Sequence, residues 1–227
     1  MGGCGKKLRY FLETDHESKT HVITVRGTCN LTNAIEDFTY IYHKSHRLPI
    51  WVHKGFDDCA YAVYQSLTPL LLDDYELVLT GHSLGAAIST LLLMYYYEDG
   101  RKILPCINFG QPMVTNKNGV QRYHHLPLMR VVDENDVVPL LPANDVLDEL
   151  HGGFEHVGDQ VTLLRDQYYV FESSQDAQVN SAWSFWKNVF NTSVKAHLME
   201  NYLTNIRSKF EQSEVVSYAQ RRAYYSK

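Results

Sequence analysis

The pentapeptide Gly81-His82-Ser83-Leu84-Gly85 stands where a β-branched and apolar run, Glu76 to Thr80, stops and an almost wholly apolar stretch, Leu84 to Tyr97, begins. That order of strand, small-residue turn and helix constrains the chain more than any other feature. A strand can pass so abruptly into a helix only where the flanking side chains are small, and Gly81, Gly85 and Ala86 meet that demand. Ser83 is thereby forced into a sharp turn, with its hydroxyl held at a helix N-terminus whose amides favour developing negative charge. A chain with 13 glycines in 227 residues contains about 0.05 such pentapeptides by chance, so the context and not the motif alone carries the reading over that of an ordinary glycine-bounded turn.

Other segments repeat the strand-then-turn pattern. His21 to Val25 runs into Arg26-Gly27-Thr28, Pro105 to Phe109 into Gly110-Gln111-Pro112, and Leu126 to Val132 into Asp133; Gln160 to Leu164 is a further short strand. Strands alternating with helical stretches predict an α/β fold with a largely parallel sheet, whose chemistry lies at the C-terminal strand ends. The N-terminal Met1 to Lys7 reads as an unassigned leader, residues 8–206 as one α/β domain, and 207–227, mixing Lys and Arg with Tyr218, Tyr224 and Tyr225, as a helical or frayed tail. Residues 172–193 read as an irregular excursion carrying Trp183, Phe185, Trp186 and Phe190.

Charge and cysteine usage narrow the setting. A net charge of -5 speaks against a basic nucleic-acid footprint. No apolar run reaches the ~20 residues of a membrane span, and residues 1–7 contain no signal-peptide core. Cys4, Cys29, Cys59 and Cys106 lack CxxC spacing, so they are expected to be structural thiols, in a cytoplasmic or membrane-peripheral protein.

A serine nucleophile requires a neutral imidazole to take its proton and an acid to orient that imidazole. In α/β sheets of this kind the chain order is serine, acid, histidine. Asp133 and Asp136 both follow the strand Leu126 to Val132, and His151, His156 and His197 follow them; the residues alone do not choose. An oxyanion hole needs two amides, one from Leu84 and one from an earlier strand-to-loop turn such as Arg26-Gly27-Thr28.

Six segments together resemble the class 3, or fungal-type, lipases: Val25 to Thr28, Val52 to Phe56, Thr80 to Gly85, Phe109 to Pro112, Asn135 to Pro139 with Leu141-Pro142, and Ala196-His197-Leu198 followed by Tyr202. The resemblance implies an α/β-hydrolase-type, mostly parallel sheet flanked by helices. It implies Ser83 as nucleophile, Asp136 as acid, His197 as base, and Thr28 with Leu84 as oxyanion hole. His156 becomes a structural histidine. The resemblance also places an amphipathic lid after the oxyanion turn, where Leu31, Ala34, Ile35 and Phe38 fall at helical spacing; a surface helix packing through that face fits the same periodicity. The expected substrate is an acylglycerol or related lipid ester, with phospholipase A1 or lysophospholipase activity as the close alternative. A non-catalytic lipid-binding protein on the same fold is the alternative of another class. A lipid interface is an expected partner. No metal or organic cofactor is implied, because three side chains and two amides complete the chemistry.

Overall fold

A computed structural model describes residues 8–27, 41–142, 153–174, 176 and 193–225. Thr28, the expected lid residues Leu31, Ala34, Ile35 and Phe38, His151, and the aromatic excursion from Trp183 to Phe190 lie outside the described residues.

The described strands are β1 (Tyr10–Asp15), β2 (Thr20–Val25), β3 (Tyr42–Lys44), β4 (Trp51–His53), β5 (Glu76–His82), β6 (Cys106–Phe109), β7 (Leu128–Asp133), β8 (Asp159–Leu163), β9 (Tyr168–Glu172) and β10 (Glu214–Val215). The described α-helices are α1 (Lys54–Leu67), α2 (Leu84–Glu98), α3 (Lys117–Tyr123) and α4 (Met199–Arg207). Eight strands form one sheet in the order β1-β2-β5-β6-β7-β8-β9-β10, and β3 pairs with β4 separately. From β2 through β8 every pairing is parallel, and β1 and β9 join antiparallel at either side. The expected α/β-hydrolase-type sheet is therefore what the chain builds.

The centre of the molecule is α2. Its side chains from Ala86 to Tyr96 are buried all round, as an apolar sequence without a polar face requires. It lies among β2, β5, β6 and α1, and Leu91, Leu92, Met94 and Tyr95 join Ile23, Leu77, Leu79, Phe56 and Val63 in one core. The opposite face of the sheet is covered in part by α4, where Tyr202 packs on Val131 and Leu163; Ile107 and Phe171 on that face stay exposed.

Four features depart from the sequence reading. β1 and β9 were not expected. Each follows or precedes a tight turn, at Lys19 (φ 53) and Asp166 (φ 51), and these non-glycine left-handed positions give no glycine signal in the sequence. After Arg207 the described residues form a short strand and then a 3-10 helix, Arg221–Tyr224. β10 adds to β9, and Val216 with Tyr218, Tyr224 and Tyr225 packs against Leu164 and Val170. Cys59 is disulfide-bonded, with its partner outside the described residues, whereas Cys106 is a free, buried thiol. Spacing alone did not reveal the bridge, because it joins positions that the fold, not the sequence, brings together. Among the described residues no helix is long and apolar enough to cross a membrane.

Candidate active site

Ser83 occupies the turn between β5 and α2 with φ 60 and ψ -130, a strained conformation for a residue with a side chain. The surroundings hold it there. Its amide donates to the carbonyl of Phe109 at 3.0 Å, and its carbonyl accepts from Ala86 and Ala87 at 2.9 and 3.2 Å. Serine at a helix start commonly caps the helix with its hydroxyl, but the Ser83 side chain makes no capping bond, which leaves Oγ for other use.

The glycines around it explain why the turn can be so tight. A Cβ on Gly81 would stand 2.5 Å from the carbonyl carbon of Gly85, and one on Gly85 would collide with the backbone of Val25 and Arg26. A Cβ on Gly27 would lie 2.6 Å from the His82 carbonyl oxygen and 3.0 Å from Ser83 Cβ. The turn leading to Thr28 thus starts directly against the serine. Leu84 opens α2, and the first amides of a helix have no acceptor within it, so its N–H is free of any helical role.

Asp136 and His197 meet although 61 positions separate them. Nδ1 of His197 donates to Oδ2 of Asp136 at 2.6 Å, and both side chains are fully buried. The carboxylate is fixed from two further directions, and the Asp136 backbone from a third. Tyr202 OH donates to Oδ2 at 2.5 Å, the Val138 amide donates to Oδ1 at 2.8 Å, and the Asp136 amide closes a turn on Asp133 O at 3.0 Å. The Ser193 amide donates to Asn135 O at 2.8 Å, which ties the loop before the histidine to the loop bearing the acid. Nε2 of His197 is buried and has no hydrogen-bond partner.

The other described candidates, Asp133 and His156, have other partners. Asp133 accepts from the Asn135 amide at 3.1 Å and from Asn205 Nδ2 at 3.0 Å, and burial pushes its carboxyl above the usual range. His156 Nε2 donates to Pro139 O at 2.7 Å, and burial holds its ring neutral, helped by the charge of Arg130.

Three supporting residues lie in the segments that carry the family resemblance, and their roles emerge only from the geometry. His82 donates from Nε2 to the backbone carbonyl of His197 at 2.7 Å and stacks on its ring at 4.6 Å between centroids. Burial, with the neighbouring His197, lowers the His82 pKa to about 4. Tyr202 OH bridges Asp136 and the Asp133 amide, and burial beside the Asp136 carboxylate raises its phenol far above the usual range. Gly110, at φ 53, leaves room for the pair: a Cβ there would lie 2.7 Å from His197 Cε1 and 2.9 Å from Asp136 Oδ2. His82 is the variable position of the serine motif, Tyr202 follows His197 by five residues in the family segment, and Gly110 opens the turn after Phe109. The sequence marks these positions but not their contacts. Beneath the serine, Asn108 and Thr90 bind one another and share Gln111 Oε1, and Asn108 also donates to the Ala86 carbonyl at 3.1 Å, fixing the first turn of α2.

Comparison with known proteins places the fold and the family. A lipase from Rhizomucor miehei is 32% identical over 155 residues, covering 63% of this chain and 41% of its own length. A phospholipase A1 from Arabidopsis thaliana is 30% identical over 112 residues, 42% of this chain and 25% of its own. A solved triacylglycerol lipase, whose catalytic centre is described as a serine protease triad, superposes with a TM-score of 0.66 at 26% identity, covering 84% of this chain and 74% of that one. The chain spans about two-fifths of the length of the lipases from Rhizomucor and Rhizopus that it matches. Its residues 22–146, more than half of the sequence, match the family model of class 3 lipases, and the chain belongs to that family.

Proposed function

We propose that this chain is a serine carboxyl-ester hydrolase acting on lipid esters, acylglycerols first, through an acyl-enzyme. The observation that carries the reading is the buried His197 imidazole. Its Nδ1 is committed to Asp136, its Nε2 is unpartnered, and it belongs to a fold that strains a serine into the opening of a helix. Ser83 Oγ attacks the ester carbonyl while Nε2 of His197 takes its proton. Asp136 holds the imidazole in the required tautomer and stabilises the imidazolium. The tetrahedral oxyanion is met by the Leu84 amide and, on this proposal, by Thr28. Collapse expels the alkoxide, which receives the proton from Nε2. Water then repeats the sequence, releasing fatty acid and restoring Ser83.

Contact with a lipid surface is supported by Val194, Leu198, Met199 and Leu203, apolar side chains exposed around His197 and along α4. A lid over Leu31, Ala34, Ile35 and Phe38 is supported by the family resemblance and by their helical spacing. Cleavage of a phospholipid acyl ester is the second reading, favoured by the similarity to a phospholipase A1. The disulfide at Cys59 supports an oxidising compartment over a cytoplasmic one.

The decisive experiment pairs covalent labelling with product analysis. A fluorophosphonate is expected to label the wild type and not Ser83→Ala, and the variant's kcat on a p-nitrophenyl ester is expected to fall by at least ~10³. Wild-type turnover in Ser83→Ala ends the proposal. Absence of labelling in a folded wild type favours a lipid-binding protein without turnover. Fatty acid release from diacylglycerol and from phosphatidylcholine distinguishes the two substrate readings.

A further inference from the structure

Among the described residues, one group of side chains outside the triad converges as metal ligands do: His43 on β3, His46 in the bend that follows, and Asp57 in the first turn of α1, with ligating atoms all within 4.8 Å of one another. Nε2 of His43 lies 2.9 Å from Oδ2 of Asp57, yet it makes no hydrogen bond there. The two groups are close without the angle that would let the ring N–H satisfy the carboxylate.

The groups around them are arranged to orient ligands. Asp57 is fully buried, and its Oδ1 accepts from Ser45 Oγ at 2.8 Å and from Tyr95 OH. Oδ2 accepts only the His46 amide, at 2.8 Å, besides the approach of His43, so one lone pair faces the imidazole. Nε2 of His46 bonds Asp58 Oδ1 at 2.9 Å, and Asp58 is itself held by Lys54 at 2.5 Å. A carboxylate on one ring nitrogen is the common way of fixing a histidine that ligates through the other, here Nδ1.

We propose that His43 Nε2, His46 Nδ1 and Asp57 Oδ2 form a site for a divalent transition metal, with Zn²⁺ as the best match. Two imidazoles and one carboxylate suit zinc, whose bonds of about 2.0–2.2 Å in a tetrahedron put ligand atoms about 3.3–3.6 Å apart. The present spacing reaches that with small side-chain movements. His46 is half-exposed and His43 retains some solvent contact, so the ion has a route in and a fourth position for water. The site sits on β3 and α1, away from the strand ends that carry Ser83 and Asp136. The ion would clamp the β3 turn to the start of α1, and no catalytic step passes through it.

The test uses the full chain, stripped with EDTA and titrated with ZnCl₂. One zinc per chain is expected after dialysis, with a rise in Tm and, on substitution by Co²⁺, the visible d–d bands of a four-coordinate site. His43→Gln and His46→Gln, both partly exposed, are each expected to weaken zinc binding at least tenfold. His197→Ala is expected to keep it. Failure of the wild type to hold zinc at 50 µM free metal overturns the proposal. Binding unchanged in the His43→Gln/His46→Gln double variant also overturns it, as does loss of binding in a folded His197→Ala, which would place the ion on the triad.

Discussion

Two side chains beside Asp136 and His197, Tyr202 and His82, shape the surroundings of the proposed triad. Tyr202 stabilises the Asp136 carboxylate by donating to the oxygen that also faces His197. Without that donor the carboxylate loses one of the bonds that hold it against the imidazole. Tyr202→Phe is therefore expected to lower kcat/KM about tenfold, the worth of a hydrogen bond to a charged group. Unchanged kcat/KM in a folded variant would show the tyrosine to be packing only. His82 carries a sign that can be worked out. Its pKa falls from 6.5 to about 4 on folding, so the unfolded chain binds the proton first as pH drops. The stability contributed by the neutral ring is present above pH 6.5 and is lost as pH falls from there towards 4, about 3 kcal/mol in all. His82→Asn should flatten the fall in Tm between pH 7 and pH 4 relative to wild type, and parallel curves would contradict this assignment.

At the scale of elements, the junction of β5 with α2 decides whether the site exists. Gly85→Ala places a methyl group against the backbone of Val25 and Arg26, where no side chain can move aside. The expected loss is more than about 2 kcal/mol by urea unfolding, together with loss of fluorophosphonate labelling. A stable, labelled variant would mean that helix and strand tolerate a wider separation. This junction was legible in the sequence because three causes coincided there: a β-branched run, glycines at close approach, and an apolar run with no polar face. The choice between Asp133 and Asp136, and among the three histidines, was not legible from chemistry. Asp133 ends β7 and Asp136 follows three residues later, and only the turn between them shows which carboxylate faces the imidazole. The resemblance to the family supplied that assignment before the geometry did. β1 and β9 stayed hidden because Lys19 and Asp166 adopt left-handed turns without glycine.

For the molecule as a whole, sulfur chemistry reports on the closed state. Cys106 is buried, and burial raises its pKa to about 11, so it is neither accessible nor ionised in the native fold. Iodoacetamide at pH 8 is expected to modify Cys106 only in step with global unfolding, as read by mass spectrometry along a urea series; fast modification without denaturant would reveal local opening beneath α2. The bond between the Ser193 amide and Asn135 has a further consequence, for the order of events in synthesis. The serine and its helix leave the ribosome long before the imidazole at position 197 does, and the loop that presents that ring can dock only on a completed β7. On the proposed function, a nascent chain stays chemically silent towards esters until position 197 has emerged and its loop has docked.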